Sequence, residues 1–106
     1  MDIAEIKTIS NESYDKWFER WYMKRDLESK IKQSAQEGYS GYRIEVKKET
    51  NEYLQRRLSD ERVIEKLKEK LLGFDVRRVD KKNGIETYFG TINRQEHYIL
   101  ISWVDK

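Results

Sequence analysis

Glu45 and Lys47 form a Glu-x-Lys pair of the kind that some metal-dependent nucleases use. In such enzymes a carboxylate on a strand binds Mg²⁺, and the neighbouring lysine activates water or stabilises the phosphate. Apolar and charged residues alternate from 42 to 47, which predicts a strand carrying Glu45 and Lys47 on one face. That chemistry also needs a further acid, usually on a strand before the pair, whereas here a helical pattern precedes it. A metal-dependent nuclease is therefore the third hypothesis, and a solvated strand face is the expectation.

The other residue types that carry chemistry are sparse. The chain has no cysteine, which excludes disulfides, thiolate metal sites and cysteine nucleophiles, and it has a single histidine, His97. Ser102 lies in an apolar stretch without a G-x-S-x-G context, and neither a P-loop nor G-x-G-x-x-G occurs. The sequence thus predicts a non-enzymatic protein with no catalytic residues, no metal and no cofactor.

An aromatic run, YDKWFERWY at 14–22, places five aromatic residues within nine positions. One narrow helix stripe cannot bury so many rings. Part of this face is therefore a candidate protein-binding surface, since Trp and Tyr beside Arg are typical of interface hot spots. The alternative interpretation is that a small domain builds its core from these large side chains. The predicted protein-binding residues are Trp17, Arg20, Trp21 and Tyr22, with Lys24 and Arg25 at the rim.

Basic doublets recur along the chain and could gather into a phosphate-binding surface. The residues of this alternative, nucleic-acid-binding hypothesis are Lys47, Lys48, Arg56, Arg57, Arg77 and Arg78. Combined with the aromatic residues, they suit single-stranded nucleic acid better than groove readout. Acidic residues are interleaved nearly everywhere, however, so a mixed-charge solvated surface is the competing interpretation. No RNA-recognition consensus, GXXG clamp or zinc-finger spacing is present.

Composition limits the class of protein. A length of 106 residues predicts one domain spanning 1–106. The net charge of +2 falls well short of the strongly basic balance of a typical nucleic-acid-binding domain. No apolar run approaches the roughly 18 residues of a membrane span, and the N-terminus does not read as a secretory signal. We therefore expect a cytoplasmic protein without a membrane partner, and a homodimer that completes the core is left open.

The elements that must position these residues follow the order α-β-α(α)-β-β-β. The first long helix is predicted to begin near the N-cap candidates at 10–13 and to end at Glu37, before Gly38. Thr50 or Asn51 can cap a second helical region, which breaks or continues at Ser59. The predicted fold is α+β, one mainly antiparallel sheet of about four strands with two or three helices on one face.

The C-terminal third is predicted to be β structure. A strand at 74–79 is followed by Asn83-Gly84, a strong type I′ hairpin signal, and by a return strand at 86–91. A second turn is predicted at 93–96. The most apolar strand, HYILISWV at 97–104, is expected to be central in the sheet.

Three segments carry a resemblance to known proteins: LESKIKQSAQEGYSGYRI at 27–44, KLLGFDVRRV at 70–79 and HYILISW at 97–103, about a third of the chain. This layout resembles small uncharacterised accessory proteins of bacteriophages of Gram-positive bacteria. The resemblance implies a modulator or inhibitor of host machinery or host defence, and some proteins of that kind, such as anti-CRISPR inhibitors, bind a target without chemistry. It carries over no functional residues. The leading prediction is therefore a small protein-interaction module with a protein partner.

Overall fold

The computed structural model describes residues 1–46 and 51–103, with the backbone alone at 82–87 and 91–95. The elements are α1 (Ile3–Arg25), α2 (Leu27–Gln36), β1 (Gly41–Glu45), α3 (Glu52–Leu58), α4 (Arg62–Lys70), β2 (Asp75–Thr87) and β3 (Gly90–Ser102). The three strands form one antiparallel sheet in the order β1-β3-β2. The α+β class is confirmed. The described residues contain four helices and three strands, so the expected two or three helices and about four strands are not confirmed.

The first helical region starts earlier than predicted and is divided in two. Asp2 caps α1, because its carboxylate accepts a hydrogen bond from the Glu5 backbone N–H at 2.9 Å. The continuous helix predicted up to Glu37 is wrong, since Asp26 adopts the left-handed conformation, with φ 51° and ψ 52°, and separates α1 from α2. Aspartate is one of the few residues with a Cβ that reaches this region at low cost. Leu27 and Ile31 lie on a different side of the helical pattern from the buried residues of α1. The change of direction at Asp26 allows both of them to be buried in the core.

The predicted end of this helical region and the predicted start of the next one are confirmed. Gly38 has φ 92°, its N–H donates to the carbonyl of Ala35, and the Tyr39 N–H donates to that of Ser34. This is a Schellman motif, in which a residue without Cβ takes the left-handed position. Asn51 caps α3 by accepting from the Tyr53 backbone N–H at 2.9 Å. Helix signals in the sequence therefore specify the ends on both sides of β1.

The hydrophobic core lies between the helices and one face of the sheet. Ile44 pairs with Ile99 and Val76 with Ile101, so these buried residues share a face. The helices cover that face with large side chains, and burying each contributes about 1.5–3 kcal/mol. Those from the helices are Tyr14, Trp17, Phe18, Trp21, Leu27, Ile31, Leu58, Val63 and Leu67. For four of the five rings in the run 14–22, the core interpretation is what the structure shows.

The β2–β3 hairpin turns at a different place from the predicted one. Asn83 and Gly84 pair with Arg94 and Asn93 within the ladder, and the chain reverses at Tyr88-Phe89. The predicted turn at Asn83-Gly84, the return strand at 86–91 and the second turn at 93–96 are therefore wrong.

Burial of the core residues explains why the chain does not turn at Asn83-Gly84. A turn at 83–84 would pair Val76 with residues near 91. The first part of β2 would then no longer pair with the most apolar segment, 97–102. The observed register instead sets Val76 opposite Ile101, where both side chains are buried beneath the helices. Register follows the buried face rather than a single dipeptide. β3 pairs with both other strands, so its predicted central position is confirmed.

Tyr14 links α1 to the end of α3. Its ring is fully buried, and its hydroxyl donates to the backbone carbonyl of Arg57 at 2.8 Å. The guanidinium of Arg62 lies over the same ring, 4.4 Å from the centroid. Burial, reinforced by the charge of Asp60, raises the pKa of the Tyr14 hydroxyl well above its ordinary value. The folded state therefore holds this group neutral under conditions in which the unfolded chain ionises it.

We predict that Tyr14→Phe lowers the free energy of unfolding by about 1 kcal/mol at neutral pH, because one buried hydrogen bond is lost. Because the pKa is higher in the folded state, the stability gained from the neutral hydroxyl is fully present below the unfolded pKa of about 10. That stability is lost progressively as the pH rises above this value. Tyr14→Phe should therefore lose less stability than the parent protein at alkaline pH. Denaturant unfolding at a series of pH values measures both effects.

The matched control is Tyr88→Phe, since the Tyr88 side chain is 97% exposed. Its stability should follow that of the parent protein across the alkaline range. Parallel curves for the parent and Tyr14→Phe would show that the Tyr14 hydroxyl is not the group responsible.

Candidate binding cleft

Five of the six predicted protein-binding residues meet in one open cleft of about 560 Å³. They lie on α1 at three- and four-residue intervals, which places them on adjoining parts of one helix surface. Neighbouring residues from α2 and α3 complete the walls. The lining residues are Trp17, Arg20, Trp21, Lys24, Arg25, Lys30, Tyr53 and Leu54. The turn at Asp26 brings α2 to one side of the cleft, and the Asn51 cap starts α3 beside it.

Two stacked tryptophans form the floor of the cleft. The rings of Trp17 and Trp21 have centroids 5.6 Å apart and an interplanar angle of 18°. Each is only 8% exposed, and Tyr14 and Phe18 pack against them at 5.3 and 5.8 Å. The tryptophans therefore present narrow edges rather than free faces, so the predicted protein-binding surface offers a partner little of either ring.

Trp21 also carries an unused donor. Its Nε1 atom is buried and has no hydrogen-bond partner among the residues that the structure describes. Such a group typically costs about 1–3 kcal/mol. The indole thus stabilises the fold by stacking and burial alone.

Tyr22 is the predicted residue that the structure places elsewhere. Its ring packs against Phe18 at 5.8 Å, and the Lys70 ammonium lies 5.7 Å from its centroid. Burial, with the nearby charges of Glu28 and Glu19, raises the pKa of its hydroxyl. Tyr22 therefore belongs to the α1–α4 contact and not to the cleft.

The rim of the cleft is cationic. Arg20, Lys24 and Lys30 are exposed, and none of the three forms an ion pair within the described part of the chain. Arg20 makes one weak intrahelical hydrogen bond, from Nε to the Lys16 carbonyl at 3.3 Å. No acidic side chain is among the described residues that line the cleft. Within the described lining of the cleft, no carboxylate therefore balances these positive charges.

The opposite side of α1 shows a different arrangement. Asp15 forms an ion pair with Lys66, and Glu19 pairs with Lys70 at 3.1 Å. These pairs join α1 to α4 and neutralise Lys66 and Lys70. Lys7 and Lys16 of α1 also form no ion pair among the described residues. What distinguishes the cleft is that none of its described lining residues is acidic.

The basic doublets serve partly as structural ties. Arg57 donates from Nη2 to the Tyr53 hydroxyl at 2.9 Å and to Ser13 Oγ at 3.0 Å. Arg78 donates from Nη2 to the carbonyls of Leu58 and Asp60 at 2.9 and 3.2 Å. One arginine of each arginine doublet is therefore half-buried and held by hydrogen bonds within the fold.

The remaining doublet residues are placed less restrictively. Arg56 is exposed and lies over the Tyr53 ring, 5.7 Å from its centroid, and Arg77 is exposed beside Asp75 at 3.4 Å. Lys47 and Lys48 lie outside the described residues.

Glu45 ends β1 opposite Tyr98, on the sheet face turned away from Ile44 and the core. Its partner in the Glu-x-Lys pair, Lys47, lies outside the described residues. Among the described residues, no group of three or more His, Cys, Asp or Glu side chains lies close enough together to hold a metal ion. The predicted period-two alternation is confirmed over residues 42–46.

Sequence reasoning missed three residues of the cleft: Lys30, Tyr53 and Leu54. They come from α2 and α3, so only the tertiary arrangement brings them to α1. The available signals were weak, namely a residue at position 26 that tolerates a left-handed backbone and an asparagine cap at position 51.

Comparison with protein families, with curated proteins and with solved structures finds no match. None of the helices among the described residues is long and apolar enough to cross a membrane. The geometry of the cleft is thus the main guide to function.

We predict that the two arginines of the Arg77-Arg78 doublet differ sharply in their effect on stability. Arg78→Ala should lower the free energy of unfolding by about 2–3 kcal/mol, because two carbonyls and His97 Nε2, 2.8 Å away, lose a charged donor. Arg77→Ala, at an exposed position, should change it by less than about 0.5 kcal/mol. Urea unfolding of both variants measures the difference, and equal losses would contradict the structural role assigned to Arg78.

Proposed function

We propose that the protein is a non-enzymatic protein-interaction module and that the cleft between α1, α2 and α3 is its binding surface. The observation that carries the proposal is the combination of three unpaired cations, Arg20, Lys24 and Lys30, with a floor of stacked tryptophans. Arginine and tryptophan are the residue types most enriched in interface hot spots.

The rigidity of the floor supports binding rather than simple solvation. Trp17 and Trp21 are held by stacking and by the core beneath them, so little conformational entropy is lost there when a partner docks. Lys24 and Lys30 are flexible and exposed, which suits a polar rim around a preorganised centre. A phage-encoded modulator that inhibits host machinery or host defence would act through such a surface, by occupying a target without chemistry.

Nucleic-acid binding is the second candidate, because the same cleft combines cations with aromatic rings. The doublets add less to it than the sequence suggested, since Arg57 and Arg78 are engaged in the fold. The cleft, and not the doublets, is therefore the surface on which both candidates are tested.

We predict that a double variant, Arg20→Ala with Lys24→Ala, loses partner proteins that the parent protein captures from a nuclease-treated Gram-positive bacterial lysate. Both side chains are exposed, so the fold should be retained. Quantitative mass spectrometry of the captured proteins, at two salt concentrations, measures the loss.

The control is Lys7→Ala with Lys68→Ala, which removes the same charge from exposed positions outside the cleft. Proteins retained by this control and lost by the cleft variant support the proposal. If the cleft variant captures the same proteins as the parent protein, the proposal is overturned. It is also overturned if a lysate not treated with nuclease yields nucleic acid and no protein partner.

A further inference from the structure

We infer that the segment taken by the cleft is acidic: a short, extended stretch of a partner protein that carries carboxylates at alternate positions. This inference rests on the proposed function and adds the chemistry of the partner. It follows from three features of the cleft: the charge of the rim, the spacing of its cations and the burial of the tryptophan ring faces.

The charge of the rim selects an anion. Arg20, Lys24 and Lys30 lie around one cleft without an ion pair, and no described lining residue is acidic. Such a concave, single-sign surface attracts and orients a partner of opposite charge. An acidic segment supplies the counter-charges that are absent from the described lining residues.

The spacing of the cations fits an extended chain. Arg20 and Lys24 are four residues apart on α1, which separates them by about 6 Å along the helix axis. Alternate side chains of an extended segment point the same way and are about 6.7 Å apart. Two carboxylates at alternate positions can therefore meet these two cations together, and Lys30 faces the segment from α2.

The aromatic rings disfavour a nucleobase as the occupant. Base stacking needs an open ring face, and Trp17 and Trp21 cover each other and the core. The Tyr53 side chain is 43% exposed, and the guanidinium groups of Arg56 and Arg57 compete for its ring, at 5.7 and 5.1 Å from its centroid. Leu54 adds an apolar wall, which suits the aliphatic side chains of a peptide.

A synthetic ten-residue peptide with glutamate at alternate positions, separated by leucine and serine, is the probe that tests the inference. The matched peptide carries glutamine at every glutamate position. Tryptophan fluorescence reports binding in a Trp103→Phe background, since Trp103 packs against Phe74 outside the cleft, whereas Trp17 and Trp21 line it.

We predict that the glutamate peptide binds at least about tenfold more tightly than the glutamine peptide at low salt, and that added salt weakens it. The triple variant Arg20→Gln, Lys24→Gln and Lys30→Gln should lose at least about tenfold in affinity. Lys7→Gln with Lys68→Gln, the exposed control pair, should bind as the parent protein does.

Equal affinity for the two peptides, or no binding of either, would overturn the inference. Tighter binding of a ten-nucleotide single strand, lost in the triple variant, would also overturn it and would assign the cleft to nucleic acid. Failure of the proposed function is distinguishable, because it is measured by cleft-dependent capture of whole proteins. If whole proteins are captured through the cleft but the glutamate peptide does not bind preferentially, the proposed function stands and only the inference of an acidic partner segment is rejected.

Discussion

The burial of the α1 aromatic face against the sheet is the constraint on which the rest of the structure depends. Tyr14 and Phe18 fill the centre of the core, and Trp17 and Trp21 lie at its margin. Helical side chains three residues apart lie on adjoining parts of the helix surface. Because Trp17 and Trp21 pack inward, Arg20 and Lys24 come to the border of the buried face. Arg20 and Lys24 therefore occupy the edge of the core by necessity, and their charged ends remain in solvent.

A second group of contacts holds the helices in register with the sheet. Arg78 of β2 donates to the carbonyls of Leu58 and Asp60, where α3 gives way to α4. Arg62 pairs with Asp60 at 2.6 Å and reaches Asn11 of α1 at 2.9 Å. The hydrogen bond from Arg62 holds the pKa of the Asp60 carboxyl below its ordinary value. Polar groups at this junction thus connect α1, the α3–α4 turn and β2 in one network, which fixes the position of α3 at the cleft.

The sequence specifies helix ends better than it specifies strand pairing, for a physical reason. A Schellman glycine such as Gly38 or a cap such as Asn51 acts through bonds within a few residues. The hairpin turn at Tyr88-Phe89 depends instead on which residues of β2 and β3 are buried together beneath the helices. The residues on α1 that line the cleft could be found from helical spacing and composition. Their exposed fractions could not, because exposure is set by α2, α3 and the sheet.

The charge distribution gives the strongest reason to assign a role to the cleft. The chain has 22 basic and 20 acidic residues, and acids accompany the cations almost everywhere. On the same helix, Asp15 and Glu19 pair with lysines of α4. Like charges left together repel and reduce stability, and a single acid among the lining positions would relieve that cost. Local departures from an otherwise consistent pattern are expected at functional sites. Three cations around a rigid tryptophan floor, with no acid among the described lining residues, are such a departure, and a partner's carboxylates would relieve it.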